Sequence, residues 1–196
     1  MRKIALFFLL ATLAAPACAQ ETWKAVEETK FYAISGQSGP ALYESIGQRG
    51  PKASIGRTIA VTDFKLTWRR QYVEEDGACI LRAARPRLVL TYRLPKPSEK
   101  LPPAIRANWQ RFADGVRAHE KVHGDIIIDM VRAIEAETVG LRAENDPGCR
   151  KIKPLMNERL ARLSLAQRER SRDFDRMEMQ NGGAVHRLIL ALVNGG

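Results

Sequence analysis

The chain has 196 residues, with 32 lysines and arginines against 22 aspartates and glutamates, a formal charge of +10, three histidines and three cysteines. Such a balance favours acidic partners. The chain nevertheless shows no basic run interleaved with aromatics and no nucleic-acid module signature, so nucleic acid is excluded as the expected partner. The basic residues mix with acids along helical faces, as in "NERLARLSLAQRERSRDFDR", which is the pattern of a solvated surface.

The first twenty residues, "MRKIALFFLLATLAAPACAQ", carry Arg2 and Lys3, an apolar run from Ile4 to Ala15, and then Ala17-Cys18-Ala19. This is the pattern of a secretory signal peptide with a small-x-small cleavage site, removed after Ala19. The run is too short for a membrane-spanning helix, and no later segment reads as one. A lipoprotein reading with an acylated Cys18 fits less well, because Ala15-Pro16-Ala17 is a poor lead into it. Residues 20–196 are then expected to form one domain in the periplasm or outside the cell. Cys79 and Cys149 remain after cleavage, and an oxidising compartment predicts a disulfide between them.

In the mature chain, "FYAIS" opens a strand-like region that runs to about Leu94. Gly36, Gly39, Pro40 and "GQRGPKASIG" read as turns and loops. "RTIAVTDFKLTWRRQYV" alternates through Ile59 and Val61, then through Phe64, Leu66 and Trp68, and the change of phase near Asp63 predicts a bulge. "EEDG" makes a turn, and the following stretch returns with Leu88, Leu90 and Tyr92 on one face. The expectation is a small, mostly antiparallel sheet over about residues 30–95.

After Pro103 the period becomes helical. Ile105, Trp109, Phe112, Val116, Ile126, Met130 and Ile134 fall three or four apart, or at multiples of that spacing, on one stripe. "ENDPGC" reads as a turn. A second helix is expected from about Leu155 to Met177, with Met156, Leu160, Leu163 and Phe174 on its apolar side, and a short apolar helix from Ala184. A sheet followed by segregated helices is an α+β arrangement, here with a helical, zincin-like half over residues 103–196.

Extending the helical stripe from Val116 by three residues reaches His119, and four more reach His123. "HEKVH" therefore places two imidazoles one turn apart on the face that points inward, where both can meet one ion. Neutral imidazoles bind Zn²⁺ at ~2.0–2.1 Å. Glu120, about 100° around the helix from His119, sits beside the pair. It is placed to act as general base on a water whose pKa the metal lowers toward ~7. A catalytic zinc takes three protein ligands. The candidates for the third are His186, Asp173, Asp175 and Glu178, with His186 favoured by a small margin. Glu144 stands near the distance of a thermolysin-like glutamate, but its surroundings do not read as the required helical acid pair. Asp125 and Asp129 are candidate acceptors for an imidazole N–H, and Arg172 and Arg176 are candidates for stabilising an oxyanion.

The chain resembles a bacterial family of predicted secreted zinc-dependent proteases, otherwise a domain of unknown function. The resemblance rests on Gly50-Pro51 and Gly56, on "TDFKLTW" ending at Trp68, on Cys79, and on Leu101-Pro102. It continues with Trp109 ahead of "HEKVH", with Cys149 and with Phe174-Asp175. It implies an exported zinc metallopeptidase acting on a peptide or protein. The family pattern continues Tyr-Asp-x-x-Thr-x-His-Gly, whereas here Glu178 stands at the threonine and Gln180 at the histidine. That departure leaves a second expectation beside the peptidase: a non-catalytic envelope protein with a structural or partner-binding zinc site. A third is a basic binder of anionic envelope polymers, whose affinity would fall with salt.

Overall fold

A computed structural model describes residues 23–53 and 56–195. The signal-peptide and lipoprotein readings lie outside the described residues. Among the described residues no helix is long and apolar enough to cross a membrane.

The chain runs β1 (Val26–Ile34), α1 (Gly39–Arg49), β2 (Lys52–Ala53), β3 (Gly56–Arg57), β4 (Val61–Glu75), β5 (Ala78–Pro97), α2 (Pro103–Thr138), β6 (Arg142–Ala143), α3 (Ile152–Met179) and α4 (Ala184–Asn194). The architecture is α+β, as the switch of period predicts. Its centre is the long β4–β5 hairpin, closed by Asp76-Gly77, both at positive φ. That two-residue loop matches the twist of paired strands, and an Asp-Gly pair tolerates it.

The sheet is mixed rather than mostly antiparallel. β4 and β6 pair antiparallel with β5, but β1 lies along the other edge of β5 in parallel, from Val26 opposite Val89 to Ile34 opposite Pro97. Parallel pairing needs a long crossover, and α1, β2, β3 and β4 together supply it. Strand pattern alone does not reveal which edge a distant strand will choose.

Two local expectations are also corrected. The stretch expected to be loop contains α1, whose N-terminus is capped by the Ser38 hydroxyl accepting from the Ala41 N–H at 3.3 Å, with Pro40 in the first turn. The helix is held by Leu42 and Ile46, one turn apart and buried in the core. The bulge lies at Gln71/Tyr72 instead of Asp63: Gln71 pairs with Ala83 and Tyr72 with Leu81, leaving Arg82 as the extra residue. Ile59 belongs to the loop before β4, so the strand keeps a single phase from Val61. The extra residue has a packing consequence. It flips the phase of β5, so that Cys79 and Leu81 before it and Ala84, Leu88, Leu90, Tyr92 and Leu94 after it are all buried.

Helix α2 lies across that face. Its stripe of Ile105, Trp109, Phe112, Val116, Ile126, Met130 and Ile134 is buried, each large side chain contributing ~1.5–3 kcal/mol by leaving water. Gly124 permits the close approach, since a Cβ there would sit 2.3 Å from the Tyr92 hydroxyl on β5. α3 runs back antiparallel along α2, tied by Arg162 to Glu137 and by Arg170 to Asp129 (2.8 Å). Its start is fixed twice. The Asp146 carboxylate accepts from the backbone N–H of Arg150, Lys151 and Ile152 at 2.7, 2.7 and 2.9 Å. The expected disulfide joins Cys79 at the start of β5 to Cys149, inside a second small core with Leu81, Ile152 and Met156.

Candidate metal centre

The antiparallel course of α2 and α3 carries the far end of α3 back to the middle of α2. There Asp175 meets the two histidines. Asp175 Oδ1 lies 3.1 Å from His119 Nε2 and 2.9 Å from His123 Nε2, and the two Nε2 atoms are 3.1 Å apart. Phe174, the preceding residue, stacks on the His119 ring at 4.7 Å between centroids and meets His123 edge-on. One helical step of α3 thus supplies both an apolar wall for the imidazoles and a carboxylate for their nitrogens.

The donor set fits a zinc-like cation. Two imidazole nitrogens and one carboxylate oxygen converge on one point, and their separations are close to the ~3.3 Å edge of a tetrahedron with ~2.0–2.1 Å bonds. A proton can bridge one pair of these atoms, whereas a cation satisfies all three. These are also the residues that stand together as potential ligands among the described residues. His119 Nδ1 is buried without a hydrogen-bond partner. The Glu178 carboxylate approaches it to 3.8 Å, on the side where a metal-bound histidine directs its remaining N–H.

The electrostatics follow from the same contacts. Burial alone would raise the Asp175 pKa, but the hydrogen bonds and charges of His119 and His123 outweigh it and hold the carboxyl well below its usual range. Burial alone would lower His123, and the hydrogen bond and charge of Asp175 instead push it up.

Glu120 is 5% exposed. Burial pushes its pKa up, against the opposing effects of the Thr62 hydrogen bond and the two histidines. Thr62, on β4, donates its hydroxyl to Glu120 Oε2 at 2.6 Å. Thr62 is the participant that sequence reasoning missed. Its signal is there in retrospect: it shares a face of β4 with Phe64, Leu66 and Trp68, a polar residue at the head of an apolar run. His119, Glu120, His123, Asp175 and Thr62 all border one cavity of about 490 Å³.

The structure does not bring His186, the favoured third ligand, to the pair. It sits in the first turn of α4, where its Nδ1 accepts the Gly182 N–H at 3.2 Å. Asp175 lies beside the pair instead, because the 28-residue α3 returns over the histidines before the chain turns at Asn181-Gly182-Gly183. Asp173 is engaged by Arg176 at 2.7 Å on the surface. Asp125 is exposed and Asp129 is taken by Arg170, so neither serves as acceptor for an imidazole. Arg172 and Arg176 are exposed on the outer side of α3, and Gln180 ends that helix.

Residues 29–183 match a family described as "Bacterial protein of unknown function (DUF922)". The match spans both histidines, Glu120, Thr62 and Asp175. No curated protein and no solved structure matches the chain.

Proposed function

The chain belongs to the DUF922 family of bacterial proteins of unknown function, and from the site enclosed by that match we propose that it is an exported zinc-dependent metallopeptidase. His119, His123 and Asp175 would hold the metal, and Glu120 would act as general base. One observation carries the reading: three ligating atoms within 3.1 Å of one another stand beside a buried glutamate that lines a cavity. Export is supported by the character of residues 1–19 and by the Cys79–Cys149 disulfide, a bond that persists in oxidising compartments.

Bound zinc supplies charge stabilisation and lowers the pKa of a nearby water toward ~7. The chain's own residues do the rest. Glu120 takes the proton released as the water oxygen bonds to the scissile carbonyl carbon. It returns a proton to the amine nitrogen as the C–N bond breaks. Thr62 holds one oxygen of that carboxylate, fixing the direction from which the proton is taken. Burial of Glu120 itself raises its proton affinity, so the carboxyl can hold the proton between the two transfers. Phe174 excludes water from one face of His119.

Zinc content of the purified protein by elemental analysis tests the reading. Wild type and His186→Ala are expected to carry near-stoichiometric zinc, and His119→Ala and Asp175→Ala to lose it. Loss in His186→Ala with retention in Asp175→Ala would return the third ligand to His186. Zinc-free wild type after reconstitution would overturn the proposal. Glu120→Gln should keep its zinc and lose ~10²–10⁴-fold in turnover. Zinc binding with no turnover in wild type would favour a structural or partner-binding role.

A further inference from the structure

The cavity beside Glu120 has a chemical character that the peptidase reading leaves unspecified. At about 490 Å³ it falls within the ~300–1,000 Å³ of small-ligand sites. The start of β4 and the loop before it contribute Ile59, Val61 and Phe64; α3 and α4 contribute Met179 and Val185. Val116 and Ile127, on either side of the histidines along α2, add further apolar surface. Phe64 and Met179 keep 44% and 40% of their surface exposed, although burial of such side chains is favourable. Both are thus left with apolar surface that a ligand can cover.

The polar part of the lining is of a different kind. Thr58, Gln167 and Ser171 are neutral groups able to pair with peptide N–H and C=O. The carboxylates are Glu120 and Asp175, and no lysine or arginine stands among the described lining residues. With no lysine or arginine in that lining, no side chain is provided to pair with a free α-carboxylate. A free α-amino group would find Asp175 already engaged by both histidines.

We infer that the cavity takes an apolar side chain from within a polypeptide, so that the enzyme cuts internal peptide bonds beside a residue of leucine or phenylalanine type. This rests on the peptidase reading. Burial of that side chain against Phe64 and Met179 supplies binding free energy, and the neutral hydroxyl and amide groups fix the backbone without requiring a chain end.

Internally quenched peptides blocked at both ends, differing at one position as Leu, Phe, Asp or Lys, test this with the zinc-loaded protein. The Leu and Phe peptides are expected to be cleaved with kcat/KM roughly tenfold or more above the Asp and Lys peptides. Phe64→Lys should erase that ranking while its zinc content stays that of wild type. Calorimetric binding of the same peptides to Glu120→Gln, which reads affinity without turnover, should give the same order. Cleavage of all four at similar rates, or a ranking untouched in Phe64→Lys, would overturn the inference and leave the peptidase reading standing. Zinc-loaded protein that cleaves none of them would overturn both.

Discussion

Thr62 of β4 donates its hydroxyl to Glu120 of α2, 2.6 Å from Oε2, and the same hydroxyl lies 3.0 Å from the Glu120 backbone oxygen. A strand side chain thereby sets the orientation of a helix carboxylate that burial would otherwise leave unpartnered. Thr62→Val keeps the shape and removes the donor. Turnover is expected to fall ~10–100-fold with zinc content unchanged, and Thr62→Ser to recover most of it. Steady-state kinetics on the three proteins, with zinc determined in parallel, checks this; equal turnover in Thr62→Val would mean that Glu120 is held by other means.

Glu178 stands 3.8 Å from the buried His119 Nδ1. A carboxylate there favours the tautomer with the proton on Nδ1, which frees Nε2 for the metal. Glu178→Ala is expected to weaken zinc affinity ~10–100-fold, as read by competition with a chromogenic chelator. Asp125→Ala, on the exposed side of α2, should leave affinity unchanged. A Glu178 variant that binds zinc as tightly as wild type would remove the residue from the site's support.

Asp146 links acid stability to the start of α3. Its burial would raise the carboxyl pKa, but three backbone N–H donors outweigh that and lower it below the ordinary 3.8. A group lowered on folding stabilises the folded state above its unfolded pKa and loses that contribution as pH falls through the folded one. Asp146→Ala should therefore be less stable than wild type in urea at neutral pH. The gap should narrow as the pH falls below the ordinary 3.8. A gap independent of pH would show that the loss arises from packing rather than from the charged carboxylate.

Gly124 follows His123 and faces the Tyr92 hydroxyl, where an added Cβ would approach to 2.3 Å. Gly124→Ala improves helix propensity yet forces α2 and β5 apart. The expected net result is destabilisation by ~1–3 kcal/mol, with weakened zinc binding because the displaced turn carries His123. Thermal unfolding with and without zinc measures both effects; a more stable Gly124→Ala would show that Tyr92 yields without strain.

Local pattern settled much of this protein. The period of 3.6 from Ile105 to Ile134 dictates a helix and which face it buries, because only that side can leave water together. His119 and His123 follow from the same stripe, since residues four apart on a helix must be neighbours. Alternation through Leu88, Leu90 and Tyr92, and the Asp-Gly turn, likewise fix the hairpin through short-range geometry. The pairing of Cys79 with Cys149 needed only a count and the expectation of an oxidising compartment.

Tertiary structure decided everything that depends on which distant segments meet. β1 chose the parallel edge of β5 because the intervening chain is long enough to cross over, a fact with no signature in "VEETKFYAI". α1 formed between glycines and prolines because Leu42 and Ile46 found a core to enter. Asp175 rather than His186 lies against the histidines because α3 extends back along α2 far enough to set its last turns over them, and helix length and packing angle are products of the assembled core. Thr62 met Glu120 for the same reason: a hydroxyl on a strand and a carboxylate on a helix acquire a relationship only when sheet and helix are stacked.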